Sequence, residues 1–257
     1  MSVLTADILR IVFEQVVSDL WALKPARALA MRRVCSVVCK WIHPIVYARI
    51  LVTADSVEGF VAFVDSVDPT FFAVVRSLNL IFTGSLPVAI HHSSNFNVAF
   101  AHVRELFCSL GFVQYMVSKS APGTFAPTHL SITDDLWLIN RSTNIHRALK
   151  TVTHLRLVPA MPLGNTSFPD MPVLQHIVFD APTNPVFLLP NVSTACKIPM
   201  VQEVLVVVHG RTTRFQKIQE TLACVDDPRV VVIHKKHSLD GVSLWHQDVL
   251  QGISYWS

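Results

Sequence analysis

Charge is scarce in this chain. Asp, Glu, Lys and Arg make up 15% of its 257 residues, against roughly a quarter in an ordinary soluble domain. Hydrophobic residues reach 51% and mean hydropathy is +0.44, which excludes a disordered chain, since disorder combines low hydrophobicity with high charge. Long apolar runs are missing as well. The longest stretch without a charged residue, 77–103, carries His91, His92, Ser93, Ser94, Asn95 and Asn97, whereas a membrane span needs roughly 20 predominantly apolar residues. The first residues hold Asp7 and Glu14 and have no basic opening, so no signal peptide is read there. The expectation is a soluble protein of the cytoplasm or nucleus, long enough to bury a sizeable core.

Glycine is sparse too. There are eight, and no two lie within ten residues of each other. A G-x-G-x-x-G dinucleotide loop, a P-loop and a G-x-S-x-G nucleophile elbow all need closely spaced glycines, so each is excluded. The five cysteines are odd in number and, without a secretory route, read as reduced thiols. Cys35, Cys39 and His43 would share a face of a straight helix, but a Cys there is more simply a small hydrophobe. His234 and His237 flank Lys235 and Lys236, whose charges disfavour a further cation. No nucleophile, acid–base pair or metal-ligand set emerges, so the chain is expected to be no enzyme and to use no cofactor or metal.

What the sequence does contain begins in its first fifty residues. Thr5 can cap a helix with Asp7 in the first turn, where the helix dipole favours an anion. Leu9, Phe13, Val16 and Leu20 recur at helical spacing, with Ile8 and Val12 widening the stripe. Pro25 suits the first turn of a second helix. There Met31, Val34, Cys35, Val38, Trp41 and Ile42 form one apolar stripe, and Pro44 is expected to break or kink it. Net charge is only +3, yet residues 20–54 hold Lys24, Arg27, Arg32, Arg33, Lys40 and Arg49 and no acid, so an acidic partner would favour this segment. A short helical unit with this much apolar surface needs a partner or a neighbouring domain.

The rest of the chain repeats. The pattern apolar-x-x-apolar-x-apolar occurs as Val75-Leu78-Leu80, Val103-Leu106-Cys108, Pro127-Leu130-Ile132, Val152-Leu155-Leu157, Leu174-Ile177-Phe179 and Val201-Val204-Val206. Pro228-Val231-Ile233 is a weaker last copy. Steps between the middle positions are 28, 24, 25, 22, 27 and 27 residues, within the period of leucine-rich repeats. Helix-like stretches at 97–110, 135–149 and 215–225 fall between strands. Eight of the fifteen prolines fall in 159–199, so connections there are expected to be loops. The fold class expected is α/β: a parallel sheet built one strand per repeat, none stable alone. Trp245 and Trp256 are candidates for a C-terminal cap. An ordinary α/β domain with evenly spaced strands is the simpler alternative.

Two elements carry a resemblance. Leu4-Thr5-Ala6-Asp7-Ile8-Leu9 followed by Val12-Phe13 resembles the opening of an F-box, with Thr5 where that family has proline and Asp7 where it has glutamate. Val34-Cys35-Ser36 and Trp41-Ile42-His43-Pro44-Ile45-Val46-Tyr47 resemble the second half of F-box-like proteins from mushroom-forming fungi. The resemblance implies a small helical F-box-like module over 1–52 and an irregular leucine-rich-repeat-like α/β solenoid over 53–257. It implies an adaptor of an SCF-type ubiquitin ligase, binding the Skp-type linker subunit through the first part and a target protein through the second. Leu4, Ile8, Leu9, Val34, Trp41, Pro44, Ile45 and Tyr47 are the candidates for the linker, whether by contact or by packing the module. A non-catalytic interaction scaffold that engages no ligase is the alternative. No nucleic-acid or membrane partner is expected.

Side chains alternate along a strand, so the residue before each middle apolar position should leave the core. In successive repeats that residue is Ser77, Glu105, His129, His154, His176 and Glu203. An exposed ladder of three histidines between two glutamates results, a candidate target-binding strip whose charge would change between about pH 5 and 8.

Overall fold

A computed structural model describes residues 6–23, 25–82, 86–133, 145–157, 168, 170–181 and 188–235. The chain opens with three helices, α1 (Ala6–Leu23), α2 (Pro25–Ala30) and α3 (Ser36–Val46). Cys35 precedes α3 in extended conformation, and its Sγ accepts the Val38 N–H at 3.5 Å. This thiol thus caps the helix and leaves the face shared by Cys39 and His43. Pro44 does not end α3, which runs two residues further. Val17, Ala28, Val38, Ile42 and Val46 form a small core of their own, with Phe13, Met31, Trp41, Ile45 and Tyr47 against it. The buried line of α1 therefore passes through Phe13 and Val17, and Leu9 and Val16 of the expected stripe are exposed.

Eight strands follow: β1 (Arg49–Thr53), β2 (Ser77–Ile81), β3 (Glu105–Cys108), β4 (His129–Ile132), β5 (His154–Leu157), β6 (His176–Asp180), β7 (Glu203–His209) and β8 (Val230–Lys235). They make one sheet in sequential order, every neighbouring pair parallel. Between them lie α4 (Val57–Ser66), α5 (Val88–His92), α6 (Phe96–Phe100), α7 (Leu110–Lys119), α8 (Ile145–Leu149), α9 (Leu188–Cys196) and α10 (Thr212–Leu222). The first strand starts at Arg49, so sheet and N-terminal module overlap over residues 49–52. The helix-like stretch at 97–110 resolves into α6 and β3, because the side chains of 105–108 bury as a strand.

Register is set just before each strand. The carbonyl of Ala48 accepts the N–H groups of both Arg76 and Ser77, that of Arg76 those of Arg104 and Glu105, and that of Arg104 those of Thr128 and His129. Thr128, Thr153 and Gln175 continue the same two-pronged contact to the next strand. One carbonyl thus pins each strand, and Leu78, Leu106, Leu130, Leu155, Ile177 and Val204 fall into one row. All twelve middle and last positions expected from β2 to β7, Cys108 among them, are buried in one cluster. Phe72, Phe96, Phe100 and Phe112 close the early part of that core, Phe96 meeting Phe112 edge to face and Phe100 tilted against Phe72 and Phe96. His43 and Tyr47 of the N-terminal module meet Phe71 at ring distances of 4.6 and 5.0 Å, which joins the two cores.

The last copy of the pattern shifts by one residue. Val204 pairs with Val230, not Val231, and Val231 is exposed. Pro228 has no N–H to give to the two-pronged contact. Asp227 fixes the turn instead, accepting from the backbone N–H and guanidinium of Arg229, which itself donates to the carbonyls of Cys196, Ile198 and Val201. The proposed tryptophan cap lies outside the described residues, as do most of the proline-rich connections. Among the described residues no helix is long and apolar enough to cross a membrane.

Candidate functional site

Two surfaces collect the candidate residues. The first is the outer side of the N-terminal helices. Ile8, Leu9, Ile11 and Val12 on α1 are 46, 38, 64 and 51% exposed, and Val34 and Val37 before and within α3 are 56 and 49% exposed. A helix normally hides such residues, and here the module's own core has been completed without them. Of the family-pattern residues, Ile8, Leu9, Val34 and Pro44 are thus on the surface. Trp41, Ile45 and Tyr47 are half-buried against the module's core, and Leu4 lies outside the described residues. The basic segment divides in the same way. Arg27, Arg33, Lys40 and Arg49 are exposed. Arg32 is half-buried, donates to the Tyr47 hydroxyl at 2.6 Å and sits 5.2 Å from that ring's centre.

The second surface is the sheet face opposite the main core. The strand register aligns Glu105, His129, His154, His176 and Glu203 side by side. The imidazoles stack: ring centres are 4.1 Å apart and 11° from parallel for His129 and His154, 4.5 Å and 9° for His154 and His176. Adjacent parallel strands lie about 4.8 Å apart, so the sheet spacing itself produces the stack. Thr153 Oγ1 donates to the Thr128 carbonyl at 3.1 Å. The same Thr153 oxygen lies 2.7 Å from His154 Nδ1. Thr128 lies likewise 3.0 Å from His129 Nδ1, and His176 Nδ1 lies 3.4 Å from Glu203 Oε2.

The ladder is not fully exposed as expected. Only Glu105 is; the histidines and Glu203 are half-buried. One step further along the strands, Phe107, Arg156, Val178 and Leu205 are buried on this same face, and Val178, Leu205 and Val207 form their own cluster with Ile233. Burial, followed by the neighbouring His129 and His176, pushes His154 down to about 4. Burial also lowers His129, with Glu105 opposing and His176 assisting. His129 and His154 are therefore uncharged at neutral pH, and the change of charge expected between about pH 5 and 8 moves lower for both.

Sequence reasoning missed a buried ion cluster on the same face. Arg156 Nε and a terminal nitrogen donate to the two carboxylate oxygens of Asp180 at 2.7 and 2.9 Å, and His209 Nε2 donates to one of them at 3.0 Å. Burial alone would push the Asp180 carboxyl up, but Arg156 and His209 overcome it and hold the group below the usual carboxylate range. A charged residue at the same parity as His154 and one at the same parity as His176, in otherwise apolar strands, is the signal that would have found the pair. Among the described residues no group of three His, Cys, Asp or Glu side chains is placed to hold a metal ion. Cys196, whose carbonyl accepts from Arg229, is pushed up to about 11 by burial and then by Asp227, so it is a protonated thiol at neutral pH.

Compared with protein-family models, curated proteins and solved structures, the chain matches none.

Proposed function

We propose that the chain is a substrate-recognition adaptor of an SCF-type ubiquitin ligase. Its F-box-like module binds the Skp-type linker, and its leucine-rich-repeat-like solenoid binds a target protein. The observation that carries this reading is the row of exposed apolar side chains Ile8, Leu9, Ile11, Val12, Val34 and Val37 on a module that already has a closed core. An apolar patch left out of a finished core marks an interaction site. The exposed Arg33 and Lys40 on the same module suit an acidic partner. The resemblance of the Leu4–Phe13 and Val34–Tyr47 segments to an F-box names that partner. The one-strand-per-repeat sheet supports the second half of the reading, since such arrays offer one long face to a protein ligand. The chain performs no chemistry in this reading. It holds a target lysine close to the ligase's conjugating enzyme, which raises the effective concentration of the reacting groups.

Deleting residues 1–52 is a poor test, because it removes most of β1 and opens the sheet edge. Point changes on the exposed face leave the core alone. Purified full-length chain should capture the Skp-type linker, and the double variant Ile8→Glu/Leu9→Glu should bind it at least about tenfold more weakly, as expected for central apolar anchors. Its urea midpoint should stay near that of the wild type. Equal capture by the variant would overturn the assignment.

A further inference from the structure

We propose that the stacked row His129–His154–His176 is an acid-sensitive latch: uncharged, it holds strands β4, β5 and β6 together along their leading rim, and on protonation it lets that rim open. This inference does not depend on what the N-terminal module binds. It starts from geometry. Three imidazoles occupy three successive strands at one register position, stacked within 4.1–4.5 Å. Each proton that enters converts a flat, weakly polar contact into a charge one ring away from its neighbour. Two adjacent imidazolium rings repel at that distance, and the half-buried setting screens them less than water would. The rings also sit where strand register is set: the backbone N–H of each of His129, His154 and His176 shares a carbonyl with that of the preceding residue, those of Arg104, Thr128 and Thr153 in turn. The Thr153 hydroxyl ties the His154 ring to the Thr128 carbonyl. Movement of the ring therefore pulls on the contact that fixes strand register.

The charged groups facing the row decide where it fires. Among the described residues, Glu105 on β3 and Glu203 on β7 stand beyond its two ends. Arg156, two residues along from His154, has its guanidinium held by Asp180. Glu105 favours a proton on His129, whereas both neighbouring rings act against one on His154. Burial and the two neighbouring rings hold His154 at about 4, against about 6.5 in an open chain. The opened state therefore binds protons that the closed state refuses. The latch is fully closed above about 6.5 and progressively weakened below it, and the weakening levels off once His154 itself titrates.

The test uses full-length protein and backbone amide exchange. Between about pH 7.5 and about pH 4.5, exchange at His154 and His176, corrected for its intrinsic pH dependence, should rise by about tenfold in the wild type. Amides of β7 serve as the internal control and should change far less. His154→Phe keeps a ring in the stack and removes its proton, so its exchange should be nearly flat with pH. Should that variant fail to fold, His154→Gln takes its place. Direct titration of the wild-type imidazoles by nuclear magnetic resonance is the second arm. A His154 midpoint at or above about 6, or an equal acid response in wild type and variant, would overturn the latch.

Discussion

Asp180→Ala is expected to destabilise the protein by about 3–5 kcal/mol, the cost of breaking a buried ion pair from one side. Arg156 and Asp180 are 3 and 2% exposed, and the carboxylate receives two parallel bonds from the guanidinium and a third from His209. Removing it takes from the buried guanidinium the carboxylate that receives its two parallel bonds, and takes the partner of His209 Nε2 away. Desolvation makes such a pair expensive to assemble, so its breakage costs more than its presence contributes. The corollary separates this account from simple loss of packing. The double variant Arg156→Met/Asp180→Leu should recover most of the loss, because no charge is then left buried. Urea midpoints of the wild type, the single and the double variant make the comparison. A single-variant loss below about 1 kcal/mol would show that the cluster is solvated in solution and only loosely coupled. Because Asp180 is held below the usual carboxylate range, its stabilisation is complete above about pH 4 and lost only as pH falls through the lowered value. It therefore remains in place across the range in which the histidine row responds.

Leu155→Ala is expected to cost about 2–5 kcal/mol, the range for a large-to-small change at a buried leucine. Leu155 is fully buried, at the centre of the row that runs from Leu78 to Val204. Its neighbours in register, Leu130 and Ile177, are also fully buried and are pinned by the carbonyl contacts before each strand, so the cavity has little room to collapse. Val231→Ala is the informative partner experiment. The sequence pattern makes Val231 the equivalent of Leu155 in the last repeat. The pairing of Val204 with Val230 turns it outward instead, and its loss should stay within about 0.5 kcal/mol. Large costs at both positions would contradict the shifted register of β8.

These two positions show what could be read from residues alone. Seven of the eight strands were legible because a buried parallel strand writes its core contacts at fixed spacing, and the period of that spacing is the period of the repeat. The histidine stack followed from the same spacing with no further information. β1 was missed because Ile50 and Val52 lie in an apolar run continuous with α3, where strand and helix patterns cannot be told apart by periodicity. The slip at β8 was not legible because the Asp227–Arg229 turn that precedes the strand is a backbone feature that an apolar template does not register. On α1 the spacing of Leu9, Phe13 and Val16 marks an apolar stripe, but an amphipathic pattern shows which residues want burial, not whether they find it within the chain, and Leu9 and Val16 do not. That same surplus is what the adaptor reading rests on. The burial around Val178, Leu205 and Val207 was not legible either, since alternation alone places those residues on the outward face.

The most direct measurement is a footprint of the Skp-type linker on the full-length chain by amide exchange. Helices buried by a partner lose local opening, and their exchange slows accordingly. The expected result is protection confined to residues 6–18 and 31–46, carrying Ile8, Leu9, Ile11, Val12, Val34 and Val37, with strands β2 to β7 unchanged. Protection confined to those strands, or no protection anywhere at linker concentrations that saturate an authentic F-box, would contradict the assignment of the N-terminal helices as the ligase-binding module.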